Sequence, residues 1–174
     1  MRATFVIFLL MLRAEPAAPP ARLPNEVRSA LAAVRTSPAD KGFPIPEALA
    51  DTAVARGDFD GNGHHDWAII IATPKRTVVL VAYRFANEWR SGSIDLWGGP
   101  ECHYCSQGAR PVALSLLAPG SHDRLAPHDR QLLVNEQWRI SSQYEGVLVT
   151  LADGRRRAYC LEHAWIFVDL GGPS

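Results

Sequence analysis

The sequence predicts an α+β domain: one N-terminal helix packed on an antiparallel, meandering β-sheet. Three observations carry that expectation. Apolar residues recur at helical spacing at Val27, Ala30, Leu31 and Val34. From about Ala53 onward the chain becomes a series of short β-branched and aromatic runs separated by turn residues. Between two of the last runs stands Asp153-Gly154, a strong hairpin signal, because both central residues of a type I′ turn need positive φ.

The elements follow in order. Met1-Arg2, the ten-residue apolar run Ala3 to Leu12 and the small residues Ala14 to Ala18 read as a secretory leader over residues 1–18. That run is too short to cross a bilayer, which takes about 20 apolar residues, so the mature chain is expected to have no transmembrane segment. No cysteine lies near the cleavage region, which argues against a lipid anchor. Residues 19–174 then form a single domain, secreted or periplasmic. Asn25 is placed to cap the helix, and Pro38, Pro44 and Pro46 enforce an extended connection after it. Strands are expected at Ala53 to Ala55, Trp67 to Ala72, Thr77 to Phe85, Trp89 to Trp97, Val112 to Leu117 and Leu132 to Ile140. Ala86-Asn87 turns one pair. A final meander comprises Val147 to Leu151, Arg157 to Leu161 and Trp165 to Leu170. The five tryptophans fall in these runs and read as core or sheet-face residues rather than a sugar platform.

At 174 residues the chain can bury a core without metal or disulfide support. Lys+Arg and Asp+Glu both number 18, so no overall field draws it to nucleic acid or anionic membrane. The run Arg155-Arg156-Arg157 reads as a solvated strand start.

The chemistry concentrates in Asp58-Phe59-Asp60-Gly61-Asn62-Gly63-His64-His65-Asp66. Oxygen-bearing side chains recur at Asp58, Asp60, Asn62 and Asp66, and a hard cation such as Ca²⁺ needs six to eight oxygens. The His64 carbonyl would be a fifth donor, and Gly61 and Gly63 let the backbone curl. Three carboxylates so close together repel one another without a counter-ion. The alternative is an Asx-rich turn with no metal. An EF-hand is excluded, because its twelfth position should be a bidentate Glu and is Ile69. The loop instead joins two strands, and an ion there would be structural. Arg56-Gly57-Asp58 spells an integrin-ligand tripeptide, a coincidence if Asp58 turns inward.

The stretch from Ala55 to Ile69, with its Gly-Asp-Phe lead-in and its hydrophobic strand after Asp66, resembles the calcium loops of FG-GAP and VCBS-type repeats. The resemblance implies that Asp58, Asp60, Asn62 and Asp66 are ligands and that His64 donates through its main chain. One loop does not make a propeller, so that architecture is not implied. The chain is more similar to small exported bacterial proteins with a single such loop.

Cys102 and Cys105 form a C-x-x-C, and Cys160 with His163 repeats the spacing. An oxidising destination favours a disulfide, from Cys160 to Cys102 or Cys105 or locally between those two. A Cys₃His zinc site, suited to an intracellular domain, and free thiols are the alternatives. His122, Asp123, His128 and Asp129 in the 120–129 loop are the only grouping suggestive of acid–base chemistry. The expectation is therefore an exported calcium-binding module whose partner is an unknown protein or cell-envelope ligand. The alternative is a secreted hydrolase-like enzyme with its site at residues 120–129.

Overall fold

The apolar runs Ile69-Ile70-Ile71 and Val78 to Ala82 leave almost no side chain for solvent. Such strands require cover on both faces of their sheet. A computed structural model of the chain describes residues 21–35, 41–74, 76–97, 110–125, 132–133 and 135–172, and shows how that cover is supplied. The expected leader, residues 1–18, lies outside this set.

A short strand β1 (Ala21–Arg22) precedes the helix α1 (Asn25–Ala32) and pairs with β2 (Ala48–Leu49). A 3₁₀ turn (Asp51–Ala53) then leads into β3 (Val54–Gly57), β4 (Asp66–Ala72), β5 (Thr77–Phe85) and β6 (Glu88–Trp97). These four form one antiparallel sheet in chain order. After it come β7 (Pro111–Leu117), β8 (Gly120–Asp123), β9 (Arg139–Ser142), β10 (Gly146–Leu151), β11 (Arg156–Leu161) and β12 (Trp165–Asp169). The second sheet has the order β12-β11-β10-β7, and β8 pairs with β9 as a separate ribbon.

The two-residue period of a strand sorts the side chains into three apolar layers. Ala68, Val79 and Val81 face Val147, Val149, Tyr159 and Phe167 across the gap between the sheets. On the outer face of the first sheet, Ile69, Ile71, Val78 and Leu80 pack on Leu23, Val27, Leu31 and Phe43 from the helical segment. On the outer face of the second, Ala158, Cys160 and Val168 pack on Ile140 of the ribbon. The expected antiparallel strands and N-terminal helix are present. The single meandering sheet is not: the domain is β-rich, two stacked sheets, with the eight-residue helix covering one outer face. Burial demand decides this, because a single sheet under one short helix would leave half of these apolar rows wet.

Several local expectations are revised. Pro24 rather than Asn25 occupies the N-cap, without a side-chain cap, and Asn25 Oδ1 accepts instead from Arg28 at 3.0 Å. The Asp153-Gly154 hairpin has positive φ only at Gly154. Gly154 N–H donates to Leu151 and Leu151 N–H to Arg155, which makes a type I turn with a bulge glycine rather than type I′. Among the described residues of the expected strand 132–140, only Arg139 and Ile140 are strand residues. Asn135 and Gln137 instead bond the main chain of Phe167 and cover the edge of β12. β8, read from sequence as loop, is extended. Arg157 is buried, with its guanidinium 5.3 Å from the Phe167 ring, while Arg155 pairs with Asp153 at 2.7 Å.

One buried ion pair lies under the ribbon. Arg124 Nε donates to Glu136 Oε1 at 3.0 Å, and both side chains are fully enclosed. Arg124 Nη1 and Nη2 have no hydrogen-bond partner, and the guanidinium sits 4.6 Å from the Trp138 ring. Removing one partner strands a buried charge, whereas removing both relieves two desolvated ions. Glu136→Leu alone should therefore cost about 3–5 kcal/mol in urea unfolding, and Arg124→Met with Glu136→Leu should recover most of it.

Candidate metal centre

The acidic loop joins β3 to β4, as its sequence context predicts, and both strands hold it by their pairing (Gly57 opposite Asp66). Phe59 is the anchor. Its side chain is wholly buried between the sheets and meets the Trp165 ring edge-on at 5.8 Å. With Phe59 turned inward, Asp58 and Asp60 on either side turn towards the loop interior. Asp66, at the start of β4, completes the group. Carboxylate oxygens of Asp58, Asp60 and Asp66 lie within 4.8 Å of one another, the only such grouping of potential metal ligands among the described residues.

Main-chain donors hold the carboxylates in place. Asp66 accepts from Phe59 N–H at 2.8 Å and from Arg84 N–H at 3.1 Å. Asp58 accepts from Asn62 N–H at 3.0 Å and Gly63 N–H at 2.9 Å. Asp60 accepts from the Asn62 main chain at 3.1 Å and the Asn62 amide at 3.0 Å. The Asn62 amide also donates to the Arg84 carbonyl, and Asn62 Oδ1 accepts from His64 N–H at 2.7 Å. Asn62 thus reaches the cluster through its amide. His64 takes part through its N–H, and its ring, like that of His65, is exposed.

The β9–β10 turn clamps the loop from outside. Glu145 Oε2 accepts Asp58 N–H at 2.8 Å, and the Tyr144 ring lies flush on Gly61. Neither contact was legible in the sequence, since both partners lie more than eighty positions downstream and carry no motif. Gly57 is buried and Asp58 faces the cluster, so the Arg-Gly-Asp tripeptide is not presented.

Electrostatically the centre is unbalanced. Asp66 has no exposed surface, and burial pushes its pKa up from 3.8 to about 6. The Phe59 and Arg84 N–H donors oppose that rise, while Asp60 and Asp58 add to it. A cation in the cluster removes both the repulsion and the need for a proton.

Of the other sequence-derived sites, only parts lie among the described residues. His122 and Asp123 are neighbours on β8, so their side chains point to opposite faces. His122 Nε2 contacts the Ala118 carbonyl at 3.1 Å, and Asp123 bonds the Arg139 guanidinium, which holds its carboxyl below the usual range. His128 and Asp129 lie outside the described residues. So do Cys102 and Cys105, while Cys160 is a free thiol buried in the outer layer, where burial pushes its pKa up. His163 sits exposed in the β11–β12 turn.

No protein-family model, curated protein or solved structure matches the chain. The centre is therefore read from its own geometry.

Two measurements test that geometry. Gly61 has φ +76°, and a Cβ there would fall 2.1 Å from the Tyr144 ring; Gly63 has φ +79° and open space around it. Gly63→Ala should cost about 1 kcal/mol of backbone strain, and Gly61→Ala clearly more in the same unfolding assay. For Asp66 the folded pKa exceeds the unfolded one. Its contribution is therefore neutral below about pH 4, where both states hold the proton, grows unfavourable between about pH 4 and 6, and levels off above that, where both states are ionised. In metal-free buffer, wild type should lose about 3 kcal/mol relative to Asp66→Asn between pH 4 and pH 7. A pH-independent difference would refute the buried carboxylate.

Proposed function

We propose that the chain is an exported calcium-binding domain that acts as a binding or interaction module, with the ion in a structural role. The observation that carries the proposal is the convergence of Asp58, Asp60 and Asp66 within 4.8 Å around a fully buried carboxylate. Oxygen-only donors suit a hard cation, and calcium tolerates irregular coordination better than magnesium. Asn62 Oδ1 has a second lone pair beyond the one its His64 contact uses, and the His64 carbonyl is a further donor. Those five residues leave the remaining positions to water. The resemblance to FG-GAP and VCBS-type loops supports the same ligand set, and the leader-like residues 1–18 support export to a secreted or periplasmic setting, where calcium is plentiful. The partner would be a protein or a cell-envelope ligand. A hydrolase centred on residues 120–129 gains no support from β8, whose His and Asp are directed apart and engaged elsewhere.

Equilibrium dialysis of the mature protein should find one calcium per chain. With an affinity of about 10⁻⁴ M, about 10 mM calcium should add about 2.7 kcal/mol to unfolding stability. Asp58→Ala with Asp60→Ala should abolish that gain; a double variant that keeps it would refute the site.

A further inference from the structure

Two adjoining concavities flank the acidic loop, of about 430 Å³ and 370 Å³. Asp60, Leu161, Glu162 and His163 line both, so the two form one trough running over the β11–β12 turn. Each is of the size that small-ligand sites occupy. Phe85 lines one side and is 52% exposed; Tyr144 lines the other and is 43% exposed. Exposed aromatic side chains thus stand at both ends, with the carboxylates of Asp60 and Glu162 among the residues between them. Arg84 and Arg90 on the Phe85 side supply donors, and Ser141 and Ser142 on the Tyr144 side supply hydroxyls. The Arg90 guanidinium already covers one face of Phe85, at 3.9 Å from the ring centroid, and so presents its remaining N–H groups beside the ring.

Charge selects the class of occupant. This step rests on the calcium reading above. A divalent ion leaves one negative charge on the three loop aspartates, Glu162 adds a second, and Arg84 and Arg90 offset both when histidine is counted neutral. A trough with no net charge gives no advantage to an anionic or a cationic chain. It retains acceptors (Asp60, Glu162), donors (Arg84, Arg90) and hydroxyls (Ser141, Ser142) between two exposed aromatic side chains, which suits a ligand that is hydroxylated along its edges and C–H-rich on its faces. We propose that the trough binds a neutral oligosaccharide, laid from Phe85 across the β11–β12 turn to Tyr144.

The test uses the mature protein with calcium and three neutral probes: maltohexaose, cellohexaose and chitohexaose. Amide chemical shifts should move at Phe85, Leu161 to His163 and Tyr144 for at least one probe. That binding should persist in about 0.5 M salt, where exposed ionic contacts are screened. Phe85→Ala and Glu162→Ala, folded as judged by unchanged melting, should each weaken it at least about fivefold. Failure of all three probes, shifts confined to another surface, or capture only of hexagalacturonate in a salt-sensitive manner would overturn the proposal. A probe that binds equally with and without calcium, in a protein that takes up no calcium, would sink the metal centre and leave the trough.

Discussion

The Asp66 carboxylate is the constraint on which the acidic loop depends. It accepts one N–H from Phe59 at the start of the loop and another from Arg84 on β5, while having no exposed surface itself. Those two bonds close the loop and tie it to a neighbouring strand. They also place a charge where water cannot solvate it, with two further carboxylates alongside. A site built this way is stable as a protonated acid or as a cation complex, and poorly stable as a bare anion.

The rest of the molecule explains how such a loop is tolerated. Phe59 is inserted between two sheets whose facing surfaces are almost wholly apolar, so burial anchors the loop alongside its own polar contacts. Glu145 and Tyr144 close over it from the β9–β10 turn. The loop therefore bridges the two sheets at one end of the domain, and the grooves beside it are walled by both. A ligand there meets residues from the β5–β6 hairpin, the β9–β10 turn and the β11–β12 turn. Elsewhere the buried pair Arg124 with Glu136 shows the cost of interior charge in a guanidinium whose outer nitrogens lack partners.

By itself the sequence determined the strands whose side chains follow one strong pattern. Thr77 to Phe85 matches β5 throughout, and Trp67 to Ala72 misses only the first residue of β4. The acidic nonapeptide was legible as a tight loop between two strands, and its carboxylates Asp58, Asp60 and Asp66 do converge. Tertiary structure decided what local pattern does not contain. Whether a doubly apolar strand belongs to one sheet or to a stack depends on partners far along the chain, and periodicity alone is the same in both cases. β8 carries no apolar alternation and is extended only because β9 pairs with it. The Asp-Gly turn type followed from how its flanking strands twist and pair. The β9–β10 clamp on the loop came from residues with no chemical signature of their own. Local chemistry names the atoms able to hold an ion; the pairing of β3 with β4 and the burial of Phe59 between the sheets set where they meet.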